Sequence, residues 1–177
     1  MPQQPPLFTP WRMPYIRGLA DPPGECFLCA AGATANAQQR RARIVLWTTP
    51  LSLVMLNLYP YTNGHLLVAP KTHKAEFEEL TQAEQTDLQV QTTRGITLLK
   101  RAMSPQGFNL GVNLGRCAGA GLPGHVHQHI VPRWGGDTNF MSIVGEVRVV
   151  PSTLPQLYDE LLRVAEEIKL LSPEEKA

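Results

Sequence analysis

The sequence predicts an α+β fold: an antiparallel sheet of about five or more strands, one long helix packed on it, and a second helix at the C-terminus. Three observations carry this reading. Short apolar runs of strand length succeed one another with turn signals between them. A 3.6-residue apolar stripe opens on a capping box near the middle of the chain. A second such stripe closes the chain, so the helices are segregated from most of the strands. A chain of 177 residues with 43% hydrophobic content fits one domain with a real core.

In chain order, residues 1–25 form a Pro- and Gln-rich arm with interspersed aromatics (Phe8, Trp11, Tyr15). Residues 30–40 are expected to be a loop. Residues 42–48 and 51–58 read as strands, Asn63-Gly64 as a turn, and His65–Ala69 as a strand stopped by Pro70, together a β-meander. Glu76, Glu78 and Glu79 are a solvated acidic cluster before a helix. Thr81-Gln-Ala-Glu84 is the capping box, Leu88, Thr92, Ile96, Leu99 and Met103 the stripe, and Ser104-Pro105 the stop. Phe108–Leu114 is a strand, 115–124 a glycine-rich loop, and 125–131 a strand. Residues 143–150 are expected as a further strand. Residues 153–171 are expected as a helix with Leu157, Leu161, Val164 and Ile168 inward. The organisation expected is arm 1–25, main domain 26–140, and a segment 141–177 completing the same domain.

A formal charge of +1 argues against duplex nucleic acid or an anionic membrane as partner, while leaving room for a small anion in a pocket. No apolar run reaches membrane-spanning length and the N-terminus lacks a signal-peptide pattern, so a cytoplasmic location is expected. Three cysteines, two of them in Cys26-Phe-Leu-Cys29, suit metal or redox chemistry better than a disulfide framework.

Residues 125–131 read His-Val-His-Gln-His-Ile-Val. Alternation is the period of a strand, which would put His125, His127 and His129 on one face. Three neighbouring imidazoles are hard to explain as packing, since each ring has nitrogens that need partners. The loop before them can turn backbone N–H groups toward an anion. An anion cradle beside imidazoles points to phosphate chemistry, with a neutral imidazole as nucleophile and its neighbours stabilising phosphoryl oxygens. Cys-x-x-Cys alone leaves a zinc knuckle, a redox pair and chance all open.

The alternating histidines resemble the signature of the histidine-triad (HIT) superfamily. The segment Pro132–Phe140 is similar to the Fhit-like and bacterial diadenosine-tetraphosphate phosphorylase branch, as is Asn57–Lys71 to that branch's upstream strand pair. Thr9-Pro-Trp-Arg-Met13 resembles its start. The resemblance implies that His127 is the nucleophile, forming a histidyl–nucleotide intermediate at the α-phosphorus. His129 and His65 would border the phosphate, and Asn57 would reach the ribose. Asn113 and the backbone of Ala120, Gly121 and Leu122 would grip phosphate oxygens, and Trp134 would flank the distal substrate. Two positions depart from the family pattern: Gln128 replaces an apolar residue, and Ala120-Gly121 replaces a hydroxyl or amide side chain. Many of these proteins, and the related galactose-1-phosphate uridylyltransferases, carry a Cys₂His₂ zinc site, which implies Cys26, Cys29, His73 and His125 as structural zinc ligands here.

The function implied is cleavage of a nucleoside 5′-phosphate anhydride, a diadenosine polyphosphate first among them. Phosphate as acceptor would make the protein a phosphorylase. Water would make it a dinucleoside polyphosphate or nucleoside phosphoramidate hydrolase. A non-catalytic nucleotide sensor and an aprataxin-like DNA-adenylate hydrolase are the rivals; the latter lacks the basic surface it would need. Mg²⁺ could accompany the substrate phosphates. A homodimer that extends the sheet is a further implication of the resemblance. Cys117, in the phosphate loop, is read as a small filler residue.

Overall fold

The computed structural model describes residues 26–135, 137, 152–172 and 175. The N-terminal arm, the Thr9–Met13 segment and the strand expected at 143–150 lie outside these residues.

The described chain opens with two short helices, α1 (Phe27–Gly32) and α2 (Ala37–Ala42), where a loop was expected over 30–40. The segment carries no apolar stripe, yet it is rich in alanine, glutamine and arginine, which favour helix. Asn36 caps α2 by accepting the Gln39 N–H at 3.0 Å. As a result Ala42 ends a helix, and the first strand starts later than expected, at Val45.

Five strands follow: β1 (Val45–Thr48), β2 (Ser52–Leu56), β3 (Leu66–Pro70), β4 (Gly107–Val112) and β5 (Gln128–Arg133). They form one antiparallel sheet in the order β1-β2-β3-β5-β4. Between β3 and β4 runs the long helix α3 (Gln82–Met103), with the expected Thr81–Glu84 capping box. Ser104 ends it in the left-handed conformation, φ 48°, just before Pro105. The C-terminal helix α4 spans Leu154–Glu167 and buries Leu157, Leu161 and Val164; Ile168, just past its end, is half-buried against the core.

The sheet's two faces separate as alternation requires except in β1, where a register shift between Val45 and Trp47 puts these two residues on opposite faces. Trp47, Val54, Leu56, Leu66, Val68 and Ile130 face α3 and α4 in the main core. Val45, Leu53, Met55, Leu67 and Ala69 face the other way, where Leu28 and Ala31 of α1 cover them. His129 is directly opposite Leu67 in the β3–β5 ladder and therefore shares Leu67's face, away from the long helix. Gln128 turns to the helix side, where its Oε1 accepts from Gln89 Nε2 of α3 at 3.4 Å. That contact gives the polar residue in the apolar signature its partner.

Candidate functional site

Only one of the three alternating histidines sits within the ladder. β5 begins at Gln128, so His125 and His127 lie on the extended approach to the strand rather than in it. Continuing the β3–β5 register would set Pro70 opposite Val126, and proline has no N–H to give the ladder. The Val126 N–H bonds instead to the Lys74 carbonyl at 2.7 Å, and that of His125 to the Leu122 carbonyl at 3.3 Å. The expectation of three imidazoles on one strand face is therefore corrected. His127 and His129 stay together, their ring centroids 5.0 Å apart, while the His125 ring packs edge-on against His73 at 5.1 Å. His65, from the end of the turn before β3, joins the first group at 5.1 Å from His129.

Hydrogen bonds fix which nitrogen of each ring carries the proton. His127 Nδ1 lies 2.8 Å from the carbonyl oxygen of His125. A carbonyl only accepts, so Nδ1 is the donor and the neutral ring presents an unprotonated Nε2. His65 Nδ1 accepts the Tyr61 backbone N–H at 3.1 Å, with Asn57 Nδ2 at 3.2 Å, so its proton is on Nε2. That proton points at His129 Nδ1, 2.9 Å away, which leaves the neutral His129 with its own proton on Nε2. The site thus offers one bare nitrogen, on His127, beside one N–H donor, on His129. Burial holds His127 below the ordinary imidazole range, and burial together with the neighbouring His127 brings His129 down to about 4, so both rings are neutral at pH 7.

The remaining expected residues are distributed around this pair. The Asn113 side-chain amide lies 3.5 Å from His129 Nε2, and because that nitrogen is an N–H donor the amide turns its oxygen to it. Asn57 is occupied locally: its Oδ1 accepts the Tyr59 N–H at 3.0 Å while Nδ2 faces His65. In the glycine-rich loop, a short 3-10 turn (Arg116–Ala118) carries the exposed Cys117. The Ala120 N–H bonds back to the Gly115 carbonyl at 3.4 Å, whereas those of Gly121 and Leu122 find no acceptor among the described residues. Trp134 follows the far end of β5, about 16 Å of extended chain from His129. There Asp137 Oδ2 accepts its N–H at 3.0 Å. Tyr61 has no counterpart in the sequence reading. Its ring lies 4.6 Å from His65 and stacks on His129 at 5.9 Å and 21°. An aromatic four residues before His65 was the only available signal.

A second cluster forms where α1, the loop after β3 and the approach to β5 meet. Cys26, Cys29, His73 and His125 each offer one ligand atom, all within 4.8 Å of one another. His125 Nε2 donates to the Pro70 carbonyl at 2.9 Å, which leaves Nδ1 bare and aimed at Cys26 Sγ (3.2 Å) and Cys29 Sγ (3.5 Å). His73 Nδ1 is 3.2 Å from Cys29 Sγ. Ligand atoms around a tetrahedral zinc stand about 3.3–3.8 Å apart, so two thiolates and two neutral imidazoles in this arrangement fit such an ion. The hydrogen bond on the far nitrogen of His125 is the outer contact that orients a ligating imidazole.

A family model described as the HIT domain matches residues 38–136. The AP-4-A phosphorylase of Mycobacterium tuberculosis is 38% identical over 151 residues, covering 84% of this chain and 77% of its own. A bis(5'-adenosyl)-triphosphatase of Dictyostelium discoideum is 32% identical over 133 residues, covering 75% of this chain and 87% of its own. The crystal structure of a Zn-bound histidine triad family protein from Mycobacterium smegmatis matches with a TM-score of 0.63 at 23% identity, covering 82% of this chain and 96% of that one; this is a likeness of fold.

Proposed function

The chain belongs to the HIT domain family, and on that footing we propose that it is an enzyme cleaving a nucleoside 5′-phosphate anhydride, with a diadenosine polyphosphate as substrate. The observation that carries this reading is the bond from His127 Nδ1 to the His125 carbonyl, which leaves Nε2 as a neutral nucleophile. Its lone pair forms the bond to the α-phosphorus while the anhydride P–O bond breaks and its electron pair leaves on the nucleoside polyphosphate. His129 Nε2–H donates to a phosphoryl or leaving oxygen as negative charge builds there. The N–H groups of Gly121 and Leu122, without an acceptor among the described residues, suit a non-bridging oxygen, so backbone donors replace the side chain that relatives place here. Asn57 orients His65 through Nδ2, and among the described residues its second N–H and second Oδ1 lone pair stay available for a ribose hydroxyl. In the second step the acceptor attacks phosphorus, the P–N bond breaks, and the imidazole is regenerated. The identity to an AP-4-A phosphorylase favours inorganic phosphate as that acceptor.

Zn²⁺ held by Cys26, Cys29, His73 and His125 would tie α1, the loop after β3 and the approach to β5 into one rigid corner. The backbone carbonyl of His125 orients His127 whether or not its ring is ligated. Among the described residues β4 is an edge strand with Leu110 half exposed, which suits pairing with a second copy of this chain. Among the described residues no helix is long and apolar enough to cross a membrane.

The deciding assay is incubation with diadenosine tetraphosphate, with and without phosphate. ADP plus ATP, formed only with phosphate, is expected; AMP plus ATP without it would replace phosphorylase by hydrolase. Binding without turnover would overturn the enzyme reading. His127→Asn is expected to lose at least about 10³-fold in kcat and to trap no labelled-nucleotide adduct. Retention of more than a few per cent of activity would remove His127 as nucleophile.

A further inference from the structure

Glu84 is a buried carboxylate, 4% exposed, that the proposed chemistry does not touch. As the third residue of α3 it closes the capping box, with Oε2 accepting the Thr81 N–H at 2.7 Å and the Thr81 hydroxyl at 2.9 Å. A cap alone accounts for one oxygen. The other, Oε1, accepts from Thr72 Oγ1 at 2.5 Å, and Oε2 also takes Lys74 Nζ at 2.7 Å. Thr72 and Lys74 are the two residues that flank His73. Both side chains therefore reach inward to one carboxylate, while the imidazole between them turns outward to Cys29 and His125. The same short stretch holds a second element: the Lys74 carbonyl accepts the Val126 N–H at 2.7 Å, at the residue between His125 and His127. Four hydrogen-bond donors, one of them cationic, keep Glu84 well below the usual carboxylate range at about 2, so the knot stays charged at any working pH.

We propose that Glu84 is a positioning residue: it clamps residues 72–74 from within, and through them fixes both the ligand histidine His73 and the chain segment that delivers His127. Its effect on His73 rests on the metal reading above; its effect on the approach to β5 does not. A truncated or neutralised Glu84 would free the loop that aims one ligand and anchors the Val126 amide. Truncation would also leave Lys74 without its partner in a half-buried position.

The test uses the full chain and Zn²⁺ as probe, with chelator competition for affinity and amide hydrogen exchange at Val126 in the metal-free protein. Glu84→Ala is compared with Thr72→Val/Lys74→Met, which removes the clamp while leaving the helix cap in place. Leu161→Ala, a core truncation in α4, controls for general loss of stability. Zinc affinity about 10–100-fold weaker is expected in both clamp variants, with Val126 exchange accelerated beyond that of Leu161→Ala. Glu84→Gln should recover part of both, since its single amide oxygen still accepts from Thr81 while its NH₂ can donate to the Thr72 hydroxyl, and the ion pair is lost. If Glu84→Ala binds zinc within about 3-fold of Leu161→Ala and protects Val126 equally well, the proposal is overturned. If the unmodified protein takes up no zinc, the metal reading fails; Val126 exchange in Glu84→Ala no faster than in Leu161→Ala then overturns the clamp as well.

Discussion

His129 is the side chain whose environment departs furthest from what its sequence neighbours suggest. Burial and the adjacent His127 hold its pKa at about 4, against 6.5 for an ordinary imidazole. Between these values the unfolded chain binds more protons than the folded one, so His129 contributes stability that is present at neutral pH and lost as pH falls from about 6.5 to about 4. His127 and His125, also lowered by burial, act in the same direction. Glu84 adds to the decline at the acid end of this window: it stays ionised in the fold at about 2, while the unfolded carboxylate takes up protons near 4.5, so its stabilisation fades as pH falls through that value. Denaturant unfolding at pH 7, 5.5 and 4.5 should show declining stability, with a shallower decline in His129→Asn; an identical slope in the variant would contradict the assignment. The residue types at the site were legible in the sequence, because a run of alternating histidines has few structural uses. Their protonation was not. It depends on the carbonyl of His125, the N–H of Tyr61 and the amide of Asn57, and backbone groups in space leave no mark on composition.

The elements divide by how strong a local signal each carries. The helix α3 was readable from its capping box and its stop, and the strands from their apolar runs, to within a few residues. The helices α1 and α2 were not, since each is only six residues long and shows no stripe. The histidine segment misled in a specific way: strict alternation spelled a strand from His125, yet the ladder starts at Gln128 because Pro70 ends the partner strand's donors. The turn before β3 behaved as written. Gly64 holds φ +80°, and a Cβ there would come within 2.7 Å of Met103 Sδ and 3.1 Å of Leu99 Cδ2. Gly64→Ala combines a disfavoured backbone with overlap and should destabilise by about 1–3 kcal/mol in denaturant midpoint shifts. Gly107→Ala, with open space around the added methyl, should stay within about 0.5 kcal/mol. A neutral Gly64→Ala would mean that the turn can relax in a way the close approach of Met103, Leu99 and Pro132 does not suggest.

At the scale of the molecule, β4 is an edge of the sheet among the described residues, while α3, α4 and α1 cover its two faces. The C-terminal end is tied back by Arg94, which holds the Glu175 carboxylate at 2.6 and 2.8 Å and the Leu170 carbonyl at 2.5 Å. An unprotected edge is a template for pairing. Sedimentation at micromolar concentration is expected to give twice the 19.6 kDa chain mass, and Leu110→Lys to shift it toward one chain. A monomeric unmodified protein would remove the dimer. By itself the sequence determined the α+β class, the family and the inventory of chemical groups, because apolar periodicity, turn residues and a dense histidine motif are local properties of the chain. The resemblance carried by that motif already divided the histidines, His125 and His73 to the metal and His127, His129 and His65 to the substrate; only the tertiary structure decided how each ring is held and protonated. Pro70 interrupts the ladder and sends the Val126 amide to Lys74, and the His125 ring turns to the cysteine pair while its carbonyl stays with His127. The orientation and tautomer of each ring depend on which hydrogen-bond partners distant segments bring to it, and those partners are not local properties of the chain.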